Sequence, residues 1–264
     1  MMREYTTPEP LATLSVIDPE LKSLILATPS RPNRESTIEE SRNAIASSLA
    51  RIIGNVNRSQ VQEILMRDGH ASEVRIYHPE ILRPREKTPL IILIHGGGFI
   101  LGDNKQLNPY ARAMSTLLDA TVVSFSYCLA PEFKFPIAAY DCWDSLCWIA
   151  KHAAEMGADP TTGFILGAPI LNGDSIRNMY DLVGVDVLSP DFSPFNVSGT
   201  QTGMPPTYFQ VAGAEPLRDD GLIYERVLKE RGVPTRLRVY PGAPLMDNTL
   251  SGRMQRSRTS GILM

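Results

Sequence analysis

Leu90-Ile91-Ile92-Leu93-Ile94-His95-Gly96-Gly97-Gly98-Phe99-Ile100-Leu101 is the stretch that decides the fold of this 264-residue chain. Five apolar residues run without a break into a histidine and three glycines. A short, continuous apolar run closed by turn residues reads as a strand buried on both faces, as in a parallel sheet. Glycine lets the backbone turn sharply there and leaves its N–H groups bare. Open α/β sheets bind ligands at this end of their strands. Gly96, Gly97 and Gly98 are therefore candidates for an oxyanion hole, a set of backbone donors aimed at a developing negative charge. His95 supports that turn.

Outward from this stretch, strands and helices alternate. On the N-terminal side, Val74, Ile76 and His78 alternate with Arg75 and Tyr77, predicting a half-exposed strand ended by Pro79. Before it, Ser36 or Thr37 with Glu39 or Glu40 forms a capping box. Ile38, Ile45, Leu49, Ile52 and Ile53 then recur at helical spacing up to Gly54, in a helix that serves as core or lid. Residues 1–34, rich in Pro and polar side chains, form an arm with an apolar patch at Leu21, Leu24 and Ile25.

On the C-terminal side, a helix is expected from Leu107 to Leu118, with Tyr110, Met114, Leu117 and Leu118 on one face. Strand 121–126 follows, and then a helix from Pro136 to about Met156. On that helix Trp143, Leu146, Cys147 and Ala150 form a stripe whose role is core packing. Strands are expected at 163–167, 207–213 and 236–240, with a helix between Asp219 and Gly232 buried through Leu222, Ile223, Val227 and Leu228. This rhythm predicts an α/β fold with a mostly parallel sheet flanked by helices. The organisation reads as an arm with lid-like helices over residues 1–70, a core over 71–244 and an irregular tail over 245–264.

With 43% apolar residues, 21% charged residues and a net charge of −3, the chain has the composition of a globular domain and no basic footprint for nucleic acid. No run approaches the length of a membrane span, and no apolar leader is visible, so a cytoplasmic location is expected. Cys128, Cys142 and Cys147 lie in apolar surroundings and fit neither a disulfide framework nor metal-ligand spacing. They are expected to be small core residues.

His95-Gly96-Gly97-Gly98-Phe99, Tyr127-Cys128-Leu129-Ala130-Pro131-Glu132, Phe135-Pro136, Asp141, Pro205 to Phe209 and Glu215 to Asp219 together resemble the hormone-sensitive-lipase branch of the α/β-hydrolases. That family usually has Arg at the position of Cys128. The resemblance covers most of residues 70–167 and 204–244, and the later segment is similar to fungal members. It implies hydrolysis of small carboxylic esters, acetyl or aromatic, by a Ser–His–acid triad without metal or cofactor. Some fungal relatives, the versiconal hemiacetal acetate esterases, deacetylate secondary metabolites. The implied partner is a small-molecule ester or ligand, with no nucleic acid and no membrane. Glu215 falls at the acid position.

Two departures stand at the edges of catalytic motifs. The family's Gly-x-Ser-x-Gly elbow is replaced by Gly167-Ala168-Pro169-Ile170-Leu171, with Pro169 where the nucleophile belongs. Proline offers no nucleophile, and its fixed φ does not suit the strained elbow. Ala168 to Leu171 resembles the family's next strand, so the elbow and its helix are missing and the hydrolase fold is incomplete after Gly167. The family's Tyr-Pro-Gly-x-x-His becomes Tyr240-Pro241-Gly242-Ala243-Pro244-Leu245, with Leu245 where the base belongs. Gly173-Asp174-Ser175 is a coincidental echo of the elbow, and His152 a helix-face histidine. The expectation is an esterase by family that is inactive as written. The alternatives are a non-catalytic small-molecule-binding protein, as the family's gibberellin receptor is, or the product of altered splicing or a misassigned gene structure.

Overall fold

The computed structural model describes residues 14–16, 19, 22–23, 37–53, 59–79, 87–167, 179–196, 204–214 and 217–242. The chain divides into two units, one of Glu35–Pro169 with Ile176–Asn196, the other of Met1–Arg34, Ile170–Ser175 and Val197–Met264.

The first unit is built on a five-stranded sheet of β1 (Gln60–Leu65), β2 (Ala71–Tyr77), β3 (Thr88–Ile94), β4 (Thr121–Phe125) and β5 (Ala158–Gly167), in the order β1-β2-β4-β3-β5. β3 runs parallel to both neighbours, while β1, β2 and β4 pair antiparallel. The helices are α1 (Ile38–Ile53), α2 (Asn108–Leu118) and α3 (Ile137–His152). Successive residues of β3 feed opposite cores. Leu90 and Ile92 join Val74, Val123, Phe125 and Ile149, whereas Ile91 and Leu93 join Tyr77, Val122, Ala111 and Ala120. Helices α3 and α2 thus cover opposite faces, which is why the run in β3 is continuously apolar.

Local chemistry sets the element ends. The Thr37 amide donates to Glu40 Oε2 at 3.0 Å and the Glu40 amide to Thr37 Oγ1 at 3.1 Å, a reciprocal capping box that starts α1. Pro89 has no N–H to give the ladder, and the β3–β5 register breaks beside it: Pro89 faces Asp159, but Leu90 faces Gly163. Gly163 has φ +128°, and a Cβ there would lie 1.9 Å from the Leu90 carbonyl oxygen. β5 borders β3 alone among the described strands, and Ile165, opposite Ile92, is 56% exposed.

Several expectations about helix faces are corrected. Trp143 is 61% exposed, and Cys147 and Ala150 are also exposed. The buried side of α3 carries Ala138, Asp141, Ser145 and Ile149, with Cys142, Leu146 and Trp148 packed beside it. On α2 the buried residues are Asn108, Ala111 and Ser115, with Met114 alongside, while Tyr110, Leu117 and Leu118 are exposed. Small and polar residues allow close approach to the sheet, so hydropathy alone points to the wrong stripe. β2 keeps the expected alternation over 72–76, with Val74 and Ile76 buried and Glu73 and Arg75 half-buried, but Tyr77, expected on the open side, is buried in the core that α2 covers. β1, paired beside it, is a strand that the alternation did not announce.

The second unit pairs β6 (Thr207–Ala212) in parallel with β7 (Thr235–Tyr240), joined by α4 (Arg218–Glu230). Leu14 of the N-terminal arm, Val211 and Leu222 form its core, and the Gly242 amide donates to the Leu14 carbonyl at 2.8 Å. On α4, Leu222 and Leu228 are buried as expected, but Ile223 is 44% exposed. No helix among the described residues is long and apolar enough to cross a membrane.

Candidate active site

The end of β3 delivers His95 into a turn of consecutive left-handed residues. Gly97, Gly98 and Phe99 have φ of 136°, 62° and 61°. A Cβ on Gly97 would lie 1.9 Å from the Leu101 carbonyl oxygen, so only glycine fits. The Gly97 carbonyl accepts from the Ile100 amide at 3.1 Å and the Leu101 amide at 2.9 Å, folding the turn back on itself. Among the described residues, the Gly97 and Gly98 amides donate to no partner. Bare N–H groups at a strand end are what a developing oxyanion requires.

The turn is braced from three directions. Gln106 Nε2 donates to the Gly96 carbonyl at 2.9 Å, and the Tyr127 hydroxyl donates to the His95 carbonyl at 2.9 Å. The Ala130 amide donates to the Phe99 carbonyl at 2.8 Å. Arg42 of α1 then ties both loops together. Its Nε donates to the Ile100 carbonyl at 2.9 Å, and its Nη2 donates to the Ala130 carbonyl at 2.7 Å. Both Nη atoms also reach the Glu132 carboxylate, at 2.8 and 3.0 Å. Sequence reasoning missed Arg42, since no periodicity marks a residue whose partners lie 58 and 88 positions away. Truncating it leaves two carbonyls without their charged donor, so Arg42→Ala is expected to cost about 2 kcal/mol, read as a lower urea midpoint at unchanged slope.

His95 is 3% exposed and stacks on Tyr127 at 4.1 Å with 5° between the rings. Its Nδ1 lies 3.0 Å from the Gly96 carbonyl, and Nε2 has no hydrogen-bond partner among the described residues. Burial pushes its pKa below the usual histidine value, so the imidazole is neutral. The ring is packed into the turn between Tyr127 and the Gly96 carbonyl. A buried neutral histidine also makes stability depend on pH. Below its unfolded pKa the unfolded chain binds the proton and the folded chain does not, so stability is full above about pH 6.5 and falls as the pH drops further. His95→Asn is expected to flatten the decline in urea midpoint between pH 7.5 and 5.

Glu215, Pro169, Leu245 and Ser175 lie outside the described residues. His152 sits at the end of α3, with Nδ1 2.8 Å from the Trp148 carbonyl and its ring stacked on Trp148 at 4.2 Å. Of the cysteines, Cys142 packs against the core as expected, half-buried, whereas Cys147 is exposed and Cys128 is half-buried among polar groups. Cys128 faces His70 and Asp141, a polar cluster drawn from three chain segments that spacing along the sequence does not reveal. Burial, reinforced by the Asp141 carboxylate, pushes the Cys128 thiol up to about 12, so as a free thiol it is no nucleophile at neutral pH.

Residues 91–170 and 168–245 match the family described as alpha/beta hydrolase fold, so residues 168–170 both close the first matched segment and open the second. Carboxylesterase NlhH of Mycobacterium tuberculosis is 28% identical over 220 residues, covering 64% of this chain and 68% of that protein. Versiconal hemiacetal acetate esterase of Dothistroma septosporum is 24% identical over 228 residues, covering 64% and 69%. The crystal structure of vibralactone cyclase superposes with a TM-score of 0.82 over 94% of this chain and 92% of its own, at 24% identity, a likeness of fold. An alignment with a further relative spans 294 positions, more than the 264 residues of this chain, so relatives carry residues that have no counterpart here.

Proposed function

From the premise that this chain belongs to the hormone-sensitive-lipase branch of the α/β-hydrolase fold family, and is by family a carboxylic-ester hydrolase, we propose a lineage acting on small acetyl or aromatic esters, those of secondary metabolites included. In the intact mechanism a serine attacks the ester carbonyl, a histidine takes the serine proton, and an acid at the position of Glu215 orients the histidine. The Gly96–Gly98 turn receives the oxyanion. We assign residues 1–70 to an arm with lid-like helices, 71–244 to the hydrolase core and 245–264 to a tail.

The observation that carries the rest is Pro169 at the nucleophile's place, with Leu245 at the base's place. Neither side chain can accept or donate a proton, so this chain as written does not turn over esters. The half-exposed Ile165 on β5 fits the loss of the helix that follows the elbow, since strands of parallel sheets are ordinarily covered on both faces. The doubled match at residues 168–170 fits a deletion at that point. Sequencing the transcript across the Gly167 and Pro244 junctions tests this reading. A message encoding these residues as they stand supports it; recovery of Gly-x-Ser-x-Gly and of a histidine after Pro244 overturns it in favour of an ordinary esterase. A second reading, a binding protein for small esters, is favoured by the braced glycine turn that outlives its nucleophile. Saturable binding of a non-hydrolysable ester analogue by a cooperatively melting chain is its signature.

A further inference from the structure

We infer that His70, Cys128 and Asp141 form a binding site for a zinc-like divalent cation, separate in chemistry from the glycine turn. The three residues come from different elements: His70 from the turn between β1 and β2, Cys128 from the loop after β4, and Asp141 from the first half of α3. Their ligand atoms all lie within 4.8 Å of one another. His70 Nε2 is 3.2 Å from Cys128 Sγ and 3.6 Å from Asp141 Oδ2. A tetrahedral zinc with bonds of about 2.0–2.3 Å sets its ligand atoms about 3.3–3.8 Å apart, so these separations need only small adjustment. The donor set of imidazole nitrogen, thiolate sulfur and carboxylate oxygen suits zinc and excludes magnesium, which takes oxygen ligands.

Two further features point to a cation. The Asp141 side chain is 2% exposed, and a carboxylate so deeply buried calls for a compensating charge. It accepts the Cys128 amide at 2.9 Å through Oδ2, which fixes the carboxylate toward the cluster. On the far side of the imidazole, His70 Nδ1 meets Asp68 Oδ1 at 2.6 Å. That contact fixes the proton on Nδ1 and frees Nε2 as a ligand, the arrangement in which a carboxylate orients a metal-bound histidine. Arg67, the nearest cation in the same turn, is turned away onto Asp144 at 2.7 Å and over the Tyr140 ring at 4.3 Å. Binding releases the Cys128 proton to solvent as the sulfur–metal bond forms, with no change of oxidation state. Three protein ligands leave the fourth tetrahedral position to water or a ligand. The cation ties the β1–β2 turn to the loop that, through Ala130, braces the glycine turn.

The test is titration of the chelator-treated full chain with Co²⁺ alone, followed by Zn²⁺ competition. The expected result is one cobalt per chain, a sulfur-to-cobalt charge-transfer absorption that zinc removes and magnesium does not, and a melting midpoint about 5 °C or more higher at saturating zinc. Cys128→Ser is expected to abolish the absorption, while Cys147→Ser retains it. Asp68→Asn, at the half-exposed end of the cluster, keeps the absorption but weakens binding about 10–100-fold, which separates lost binding from lost folding. A wild-type chain that takes up no cobalt overturns the proposal. So does an unchanged absorption and affinity in both Cys128→Ser and His70→Ala.

Discussion

A chromogenic acetate ester incubated with this chain is expected to hydrolyse no faster than in buffer, with no initial burst of product. Acyl transfer needs a nucleophile that a base deprotonates as it attacks, and on the proposed reading both members of that pair are replaced, by Pro169 and Leu245. In triad hydrolases the loss of nucleophile and base together costs about a million-fold in kcat, hardly more than the loss of either alone, because the two act as a unit. What the oxyanion side retains by itself is a residual acceleration of about 10³–10⁴ over water for each bound ester, which sinks below the spontaneous background once the enzyme is kept about 10⁵-fold below its substrate. The braced turn at Gly97 and Gly98 therefore does not rescue turnover. Carboxylesterase NlhH, assayed beside it, gives the scale. Rapid hydrolysis with burst kinetics would show that another side chain has taken over the nucleophile's task.

The largest expected effect on stability comes from Gly163→Ala. Its φ of +128° is a conformation L side chains rarely adopt, and the added Cβ meets the Leu90 carbonyl oxygen at 1.9 Å and its carbon at 2.6 Å. Both are backbone atoms of β3, which is paired on both sides by β4 and β5, and cannot swing aside as a side-chain end does. Backbone strain of about 1–3 kcal/mol adds to an overpacking cost of similar size. A total of about 4 kcal/mol is a large part of the 5–15 kcal/mol that holds an ordinary domain together. The comparison that isolates the clash is Gly69→Ala. Gly69 has φ +91° but nothing within 4 Å of its added Cβ, so strain acts there without collision. Urea denaturation followed by far-ultraviolet circular dichroism is expected to show a much lower midpoint for Gly163→Ala than for Gly69→Ala. Equal midpoints would mean that the register shift beside Pro89 is not held as described.

Much of the first unit was legible from one stretch. The apolar run of β3 can be continuous only if both its faces are covered, and the two cores fed by Leu90/Ile92 and Ile91/Leu93 follow directly. The capping box that starts α1 was legible too, because its signal is local: Thr37 and Glu40 satisfy each other's amides. What was not legible depended on partners remote in sequence. The face of α3 that meets the sheet carries Asp141 and Ser145, while Trp143 faces solvent, since close packing selected small side chains over greasy ones. β1, Gln60-Val61-Gln62-Glu63-Ile64-Leu65, is largely exposed and lacks an alternating pattern, so only its pairing with β2 makes it a strand. Arg42 and the His70–Cys128–Asp141 cluster are assembled across the turns and loops that the fold brings together. At the candidate site, the glycine turn could be read from its residues alone; the guanidinium that braces it could not.

On the proposed reading this chain preserves the oxyanion side of an esterase site and has lost the groups that attack the ester. Intact-mass spectrometry after exposure to a fluorophosphonate tests it most directly, because such reagents capture an activated serine whether or not turnover follows. An unmodified mass is expected under conditions that label carboxylesterase NlhH to completion. A single stoichiometric adduct, mapped to Ser175 or any other serine, would contradict it.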